Sequence, residues 1–195
     1  MRSRVVLFGG TFDPIHNAHL EIAGAAADRF HLEKILFVPA ANPPHKTDRA
    51  QAPYEDRVRM AQLACEGDAR FEVSRIEARP EGSSARSYSI ETIEKLQAAG
   101  IAPLGFLIGA DAFAEIESWY RWADVVRSVE FIVVTRPGAV YRIPPGASVH
   151  ELTGLSLPES SSEVRAAIAR GDPGVPVPPA VLAYIRERRI YGDRF

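Results

Sequence analysis

Between residues 9 and 19 the chain reads Gly9-Gly10-Thr11-Phe12-Asp13-Pro14-Ile15-His16-Asn17-Ala18-His19. Two adjacent glycines permit positive φ and let a ligand approach the backbone closely. His16 and His19 are three apart, and a helix starting near Asn17 sets both imidazoles on one face of its first turn. The free N–H groups and positive dipole end of such a helix attract an anion. On residue chemistry alone this is a phosphate site with two imidazole donors. Two other readings use the same residues. A histidine pair can be a polar helix start without chemistry, and Asp13, His16 and His19 together could chelate zinc, as in a hydrolase. The double glycine directly ahead weighs against both.

The elements that must hold these residues can be read from apolar periodicity. Residues 4–8 (RVVLF) run into the glycines and predict a strand buried on both faces. Residues 17–30 place Leu20, Ala23, Gly24 and Ala27 on one helical face, with Glu21 and Asp28 opposite. A strand is expected over 34–39, followed by a polar, proline-bearing loop over 40–52 and a helix over 54–65. A short strand over 71–74 and a helix over 89–99, stopped by Gly100, come next. Strand 104–109, a largely helical 111–126, strand 130–135 and a last strand near 148–152 complete the alternation. Such alternation predicts an α/β fold with a Rossmann-like open parallel sheet. Ligands of such sheets bind outside the carboxyl ends of the strands, where the glycines fall. Helices over 161–170 and 179–189, joined by the proline-rich 171–178, read as a small helical C-terminal extension. The expected organisation is a single domain over 1–195, with an α/β core at 1–155 and the extension at 156–195.

Composition narrows the partners. The 195 residues are 46% hydrophobic and 25% charged, ordinary for a chain with one buried core. Lys+Arg number 23 against 25 Asp+Glu, for a net charge of −2. No basic run or stripe is present, so no nucleic-acid partner is expected. No apolar stretch is long enough for a bilayer, so no membrane is expected either. Cys65 stands alone, reads as a small buried hydrophobe, and makes a reducing cytoplasm the expected location. The sequence assigns no oligomeric state.

The string over 9–19 resembles the GGTFDPIHxGH signature of nicotinate mononucleotide adenylyltransferases, within the HxGH nucleotidyltransferase superfamily; Ala18 stands where that family has glycine. Further likenesses follow in order along the chain. Pro43-Pro44-His45-Lys46 is similar to the family's PPHK loop, Ser87-Tyr88-Ser89 to its SYT segment, and Gly109-Ala110-Asp111 to its GxD. Ser118-Trp119-Tyr120-Arg121-Trp122 is similar to its WYxW element and Thr135-Arg136-Pro137-Gly138 to its RPG. Glu159-Ser160-Ser161-Ser162-Glu163-Val164-Arg165 resembles the ISSTxIR motif, with Glu159 for isoleucine and Ser162 for threonine. Taken alone, Ser160 and Glu163 spell a capping box. Residues 177–185 and Ile190-Tyr191 resemble the family's ending.

This resemblance implies adenylyl transfer from ATP to nicotinate mononucleotide, giving nicotinate adenine dinucleotide and pyrophosphate, a step of NAD biosynthesis. It implies Mg²⁺ held mainly by the ATP phosphates, with no protein ligand. His16, His19, Lys46 and Arg165 would be catalytic. Gly9, Gly10, Thr11, Phe12, Asp111, Ser161 and Ser162 would join His16, His19 and Arg165 on ATP, with Asp111 at a sugar hydroxyl. His45, Lys46, Ser87, Tyr88, Ser89, Trp119, Tyr120 and Arg136 would bind the mononucleotide, with Arg136 at its phosphate. Spacing alone puts Trp119 and Trp122 on one helical face, whereas the resemblance turns Trp122 inward and sets Trp119 in the nicotinate pocket. The Ala18 methyl would crowd the ATP path and the Glu159 carboxylate would repel the nucleotide. These two departures motivate a rival reading, a nucleotide-binding regulator without turnover. A second rival is another adenylyl- or cytidylyltransferase of the superfamily, such as the pantetheine-phosphate enzyme. Trp119, Ser87-Tyr88-Ser89 and residues 43–46 argue against that one.

Overall fold

Successive side chains of a strand point to opposite faces, so a strand made only of apolar residues requires cover on both sides. The computed structural model, which describes residues 1–42, 52–80, 83–135, 138–155 and 160–192, supplies that cover. In β1 (Val5–Gly10), Val6 and Phe8 enter one buried cluster and Leu7 enters the other. In β2 (Lys34–Pro39), Ile35 and Phe37 face the first cluster while Leu36 and Val38 face the second. The first cluster is closed by α1 (Asn17–Phe30) and α2 (Tyr54–Cys65), the second by α3 (Ser89–Ala98). With β3 (Phe71–Val73), β4 (Leu104–Gly109), β5 (Glu130–Val134) and β6 (Ser148–Leu152), the sheet runs β3-β2-β1-β4-β5-β6, every pairing parallel. This is the expected Rossmann-like α/β fold.

Three local expectations change. β1 continues two residues beyond Phe8, because Gly9 and Gly10 stay in register with Val38 and Pro39 of β2. Neither glycine carries the positive φ; Phe12 does, at 49°. Gly10 is needed for another reason: a Cβ there would lie 2.9 Å from the Phe12 ring, which folds back over it. The stretch expected as one helix over 111–126 is broken into α4 (Ala110–Ala114), a 3₁₀ turn (Ile116–Ser118) and α5 (Trp122–Ser128). Arg121, at φ 52°, breaks the helix between Trp119 and Trp122, so the two indoles do not share a helical face.

Beyond β6, α6 (Ser161–Arg170) and α7 (Pro179–Arg188) return to the first cluster, where Val164, Val181 and Ile185 pack with Phe8 and Phe37. The Tyr184 phenol donates to Asp56 Oδ1 of α2 at 2.7 Å, tying α7 to the core. Among the described residues, no helix is long and apolar enough to cross a membrane.

Candidate active site

The sheet order reverses between β1 and β4, and a crevice opens outside their carboxyl ends. Two hollows share it. The larger, about 350 Å³, has Gly9, Gly10, Ser87, Tyr88, Trp119 and Tyr120 among its walls. The smaller, about 120 Å³, includes Asp111, Ala110, Ile22, Val134 and Leu155. Phe8 and Gly109 line both, so the two hollows meet above the ends of β1 and β4.

The histidine pair lies beside Phe8, which both hollows share, without lining either hollow. His16 is the N-cap of α1, in extended conformation, and its backbone N–H donates to His19 Nδ1 at 3.2 Å. An Nδ1 that accepts leaves the proton of a neutral imidazole on Nε2, which makes His19 a donor outward. Its ring is set edge-on to Phe12 with centroids 5.1 Å apart and lies 6.0 Å from Phe8, the residue common to both hollows. The two imidazole centroids are 3.8 Å apart, so both side chains converge as their spacing predicts. No acidic residue occupies the first turn of α1, where the Asn17 N–H is already taken by the Pro176 carbonyl at 2.9 Å.

The loop bearing His16 is anchored by side chains far away in sequence. Arg57 of α2 is 2% exposed and donates Nη1 to the carbonyls of Thr11 (2.6 Å) and Ala40 (2.8 Å), and Nε to that of Ala52 (3.2 Å). Burial pushes its guanidinium below the ordinary arginine range, opposed by the nearby Asp13 carboxylate. From α6, Arg165 Nη1 donates to the Asp13 carbonyl at 2.7 Å, and Ser161 Oγ donates to the Pro14 carbonyl at 3.3 Å. The α6 start is self-capped: Ser160 Oγ accepts the Glu163 N–H at 3.3 Å while Glu163 Oε2 accepts the Ser160 N–H at 3.0 Å.

Polar and aromatic groups divide the larger hollow. Tyr88, the N-cap of α3, and Tyr120 have ring centroids 4.6 Å apart, with Tyr120 exposed at the mouth. The first backbone N–H groups of α3 have no partner inside the helix and can serve a ligand acceptor. Ser87 is fixed by Asn42, whose N–H donates to Ser87 Oγ (3.1 Å) while the Ser87 N–H donates to the Asn42 carbonyl (2.8 Å). Sequence reasoning missed Glu77, a buried carboxylate in this wall that accepts the Thr92 hydroxyl at 2.6 Å and the Ala41 N–H at 3.2 Å. It lies in an irregular stretch after β3 where no periodicity marks an inward position.

The expected site residues divide between the two hollows, the core and the surface. Gly9, Gly10 and Thr11, expected on ATP, line the larger hollow beside Ser87, Tyr88 and Ser89. The Phe12 ring is 2% exposed and packs on Phe8, Phe37 and His19, so its side chain belongs to the core. Ala18 is 3% exposed, so its methyl is covered by protein and does not stand in an open ATP path. Trp119 lines the larger hollow, and Trp122 is partly buried against the second cluster. Asp111 lines the smaller hollow, and Ser162 is exposed on the first turn of α6. His45, Lys46, Arg136 and Glu159 lie outside the described residues. The zinc reading of Asp13, His16 and His19 fails on geometry: Asp13 Oδ1 is engaged by the Ala52 N–H and the Tyr191 phenol, and His19 Nδ1 by the His16 N–H. Among the described residues no group of three His, Cys, Asp or Glu is placed to hold a metal ion.

A parallel sheet of this order with an imidazole pair at the switch point defines a nucleotidyltransferase of the cytidylyltransferase-like family, to which the chain belongs over residues 7–167. A Solibacter usitatus protein named "Probable nicotinate-nucleotide adenylyltransferase" is 57% identical over 193 residues, covering 96% of this chain and 99% of the relative. A Pelobacter propionicus protein of the same name is 39% identical over 216 residues, covering 97% and 99%. Within the larger family the chain therefore belongs with the nicotinate-nucleotide adenylyltransferases. The solved structure of Plasmodium falciparum nicotinic acid mononucleotide adenylyltransferase complexed with NaAD shares the fold, with a TM-score of 0.79 at 17% identity and coverage of 97% of this chain and 98% of that one.

Proposed function

We propose that this chain transfers the adenylyl group of ATP to nicotinate mononucleotide, releasing pyrophosphate and forming nicotinate adenine dinucleotide. The observation that carries the reading is a crevice with two hollows whose junction is set by Phe8, with His19 packed against it. A dinucleotide needs two base sites flanking one phosphate site, and this arrangement provides that order. The aromatic hollow of Tyr88, Trp119 and Tyr120 takes the nicotinate half, and the smaller hollow, with Asp111 at a sugar hydroxyl, takes the adenosine half.

The phosphate of the mononucleotide is already anionic, so its attack on the α-phosphorus requires no general base. A new P–O bond forms there as the bond to the β-phosphate oxygen breaks, and that electron pair leaves on pyrophosphate. The protein's work is positioning and charge neutralisation. His16 and His19 donate to phosphate oxygens at the α1 start, while Arg165 and Lys46 offset charge on the departing pyrophosphate and Arg136 holds the mononucleotide phosphate. Magnesium arriving with ATP would be held by the nucleotide phosphates and water rather than by a protein side chain, and would neutralise part of the phosphate charge. The reaction belongs to NAD biosynthesis, and the lone buried Cys65 is compatible with a reducing cytoplasm.

Turnover with ATP and each pyridine mononucleotide in parallel, followed as pyrophosphate release, tests the reading. At least about tenfold preference in kcat/KM for nicotinate over nicotinamide mononucleotide is expected, because N–H donors around Tyr88 suit a carboxylate that only accepts. Absence of pyrophosphate release with nicotinate mononucleotide would overturn it.

A further inference from the structure

The segment after α7 takes no part in the chemistry above, yet one of its residues reaches the catalytic loop. The chain leaves α7 through Arg189 (φ 53°) and turns again at Tyr191 (φ 62°), both left-handed, while the Ile190 N–H returns to the Ile185 carbonyl at 2.9 Å. These turns carry the Tyr191 phenol to Asp13, 178 positions away in sequence, where it donates a hydrogen bond to Oδ1. The same oxygen accepts the Ala52 N–H at 3.1 Å, and Asp13 as a whole is 4% exposed. Burial and the Asp13 carboxylate both raise the Tyr191 pKa, so the phenol is an O–H donor throughout the working range.

We propose that Tyr191 is a positioning residue for nucleotide binding and adenylyl transfer: through Asp13 it fixes the loop carrying His16 and keeps Arg165 turned toward the nucleotide. The proposal rests on the function proposed above. Its geometry centres on Asp13, which is held twice. Its side chain takes Ala52 and Tyr191, and its main-chain carbonyl takes Arg165 Nη1 at 2.7 Å. The same Nη1 lies 3.8 Å from Asp13 Oδ2, outside hydrogen-bond range but close enough to close. A buried carboxylate that loses a donor seeks another. Without the phenol, Arg165 is the cation placed to replace it, and a grip on the carboxylate draws the guanidinium off the carbonyl that orients it. Ser161 is bonded to the adjoining Pro14 carbonyl and His16 follows two residues later, so the disturbance reaches the nucleotide side of the site. The aromatic hollow, built on Ser87, Tyr88 and Trp119, shares none of these bonds.

Tyr191→Phe removes only the hydroxyl. Calorimetric titration with α,β-methylene-ATP and, separately, with nicotinate mononucleotide reads the two sides of the site on the full-length chain. About tenfold weaker binding of the ATP analogue is expected, with mononucleotide affinity within twofold of the parent and kcat reduced by about tenfold. Asp13→Asn keeps an acceptor for Tyr191 and Ala52 but holds no charge to capture Arg165. In that background Tyr191→Phe should change analogue binding by less than twofold, a non-additive cycle. Equal weakening of both ligands, unchanged analogue binding, an additive cycle, or a Tyr191→Phe chain unfolded at assay temperature would each overturn the proposal. A parent that binds the analogue but releases no pyrophosphate would sink the proposed function while the binding arms still decide the role of Tyr191.

Discussion

The proposed reaction gives His19 two separable tasks, and substitution can part them. Its Nδ1 accepts the His16 N–H at 3.2 Å, closing the start of α1, and Nε2 is the atom proposed to donate to phosphate. Alanine removes both. Asparagine places an amide oxygen near the Nδ1 position, so it can retain the bond to His16 while supplying nothing at Nε2. The lost helix-start bond should cost about 1 kcal/mol, by analogy with other capping interactions, which lowers Tm by about 2–4 °C in a chain of this size. The lost donor to a developing phosphate charge should cost about 10²–10³ in kcat, or about 2.7–4 kcal/mol of transition-state stabilisation. The expected pattern is therefore a deep fall in kcat for both variants, with the drop in Tm confined mainly to His19→Ala. Steady-state pyrophosphate release at saturating ATP and mononucleotide, paired with thermal unfolding, measures both quantities. A His19→Asn enzyme retaining half the parental kcat would remove the imidazole from the chemistry and reduce His19 to a helix cap.

Ala18→Gly should lower stability by about 0.5–1 kcal/mol, seen in thermal unfolding, because the covered methyl adds packing and helix preference. KM for ATP should stay within twofold; a tenfold fall would put the methyl in the nucleotide path after all. Trp119→Ala should raise KM for nicotinate and nicotinamide mononucleotides alike by at least about fivefold, because an indole face stacks on either ring. The ratio of their kcat/KM values should be largely kept, and its collapse would make the indole the source of selectivity. Cys65 is buried and its thiol is pushed up to about 12 by that burial, so the protonated form prevails at pH 8. Iodoacetamide at that pH should label the unfolded chain fully and the native chain by less than a tenth in the same interval, as read by intact mass.

Where one local rule governed a segment, the sequence was legible to the residue. KILFVP is an apolar run led by a lysine and closed by a proline, and it forms β2 at those bounds. The start of α1 was equally legible, since the His16–His19 spacing and the helix that follows depend only on neighbours. The failures lie where a residue's role is set by something distant. Paired glycines suggested a positive φ, but β2 keeps them extended and moves the left-handed turn to Phe12, whose ring finds the core. The tryptophans looked like one helical face until Arg121 broke the helix between them. Arg57 sits in an amphipathic helix as an ordinary charge; only the fold shows that three loop carbonyls await it. Tyr191 gave no sign of function in sequence, because its partner is 178 residues away.

These distant contacts bear on how a chain with net charge −2 can hold two polyanionic substrates. Carboxylates near the site have to be kept from repelling phosphate. Asp13 is held by Ala52 and Tyr191, with the guanidinium of Arg165 alongside, and Glu163 is turned back onto its own helix start by Ser160. Glu77 is likewise engaged by Thr92 and Ala41 in the wall of the larger hollow. Asp13 Oδ1, Glu163 Oε2 and both Glu77 oxygens accept protein donors, and α1 begins with no acid in its first turn. In the proposed reaction the α1 start and its imidazole pair, with Arg165 beside Asp13, offer phosphate a local positive field that needs no surplus of basic residues in the chain as a whole, while Asp111 in the smaller hollow is left to a sugar hydroxyl. The capping box and the Asp13 contacts are in this sense electrostatic as much as structural: breaking either releases a carboxylate at the edge of a phosphate site.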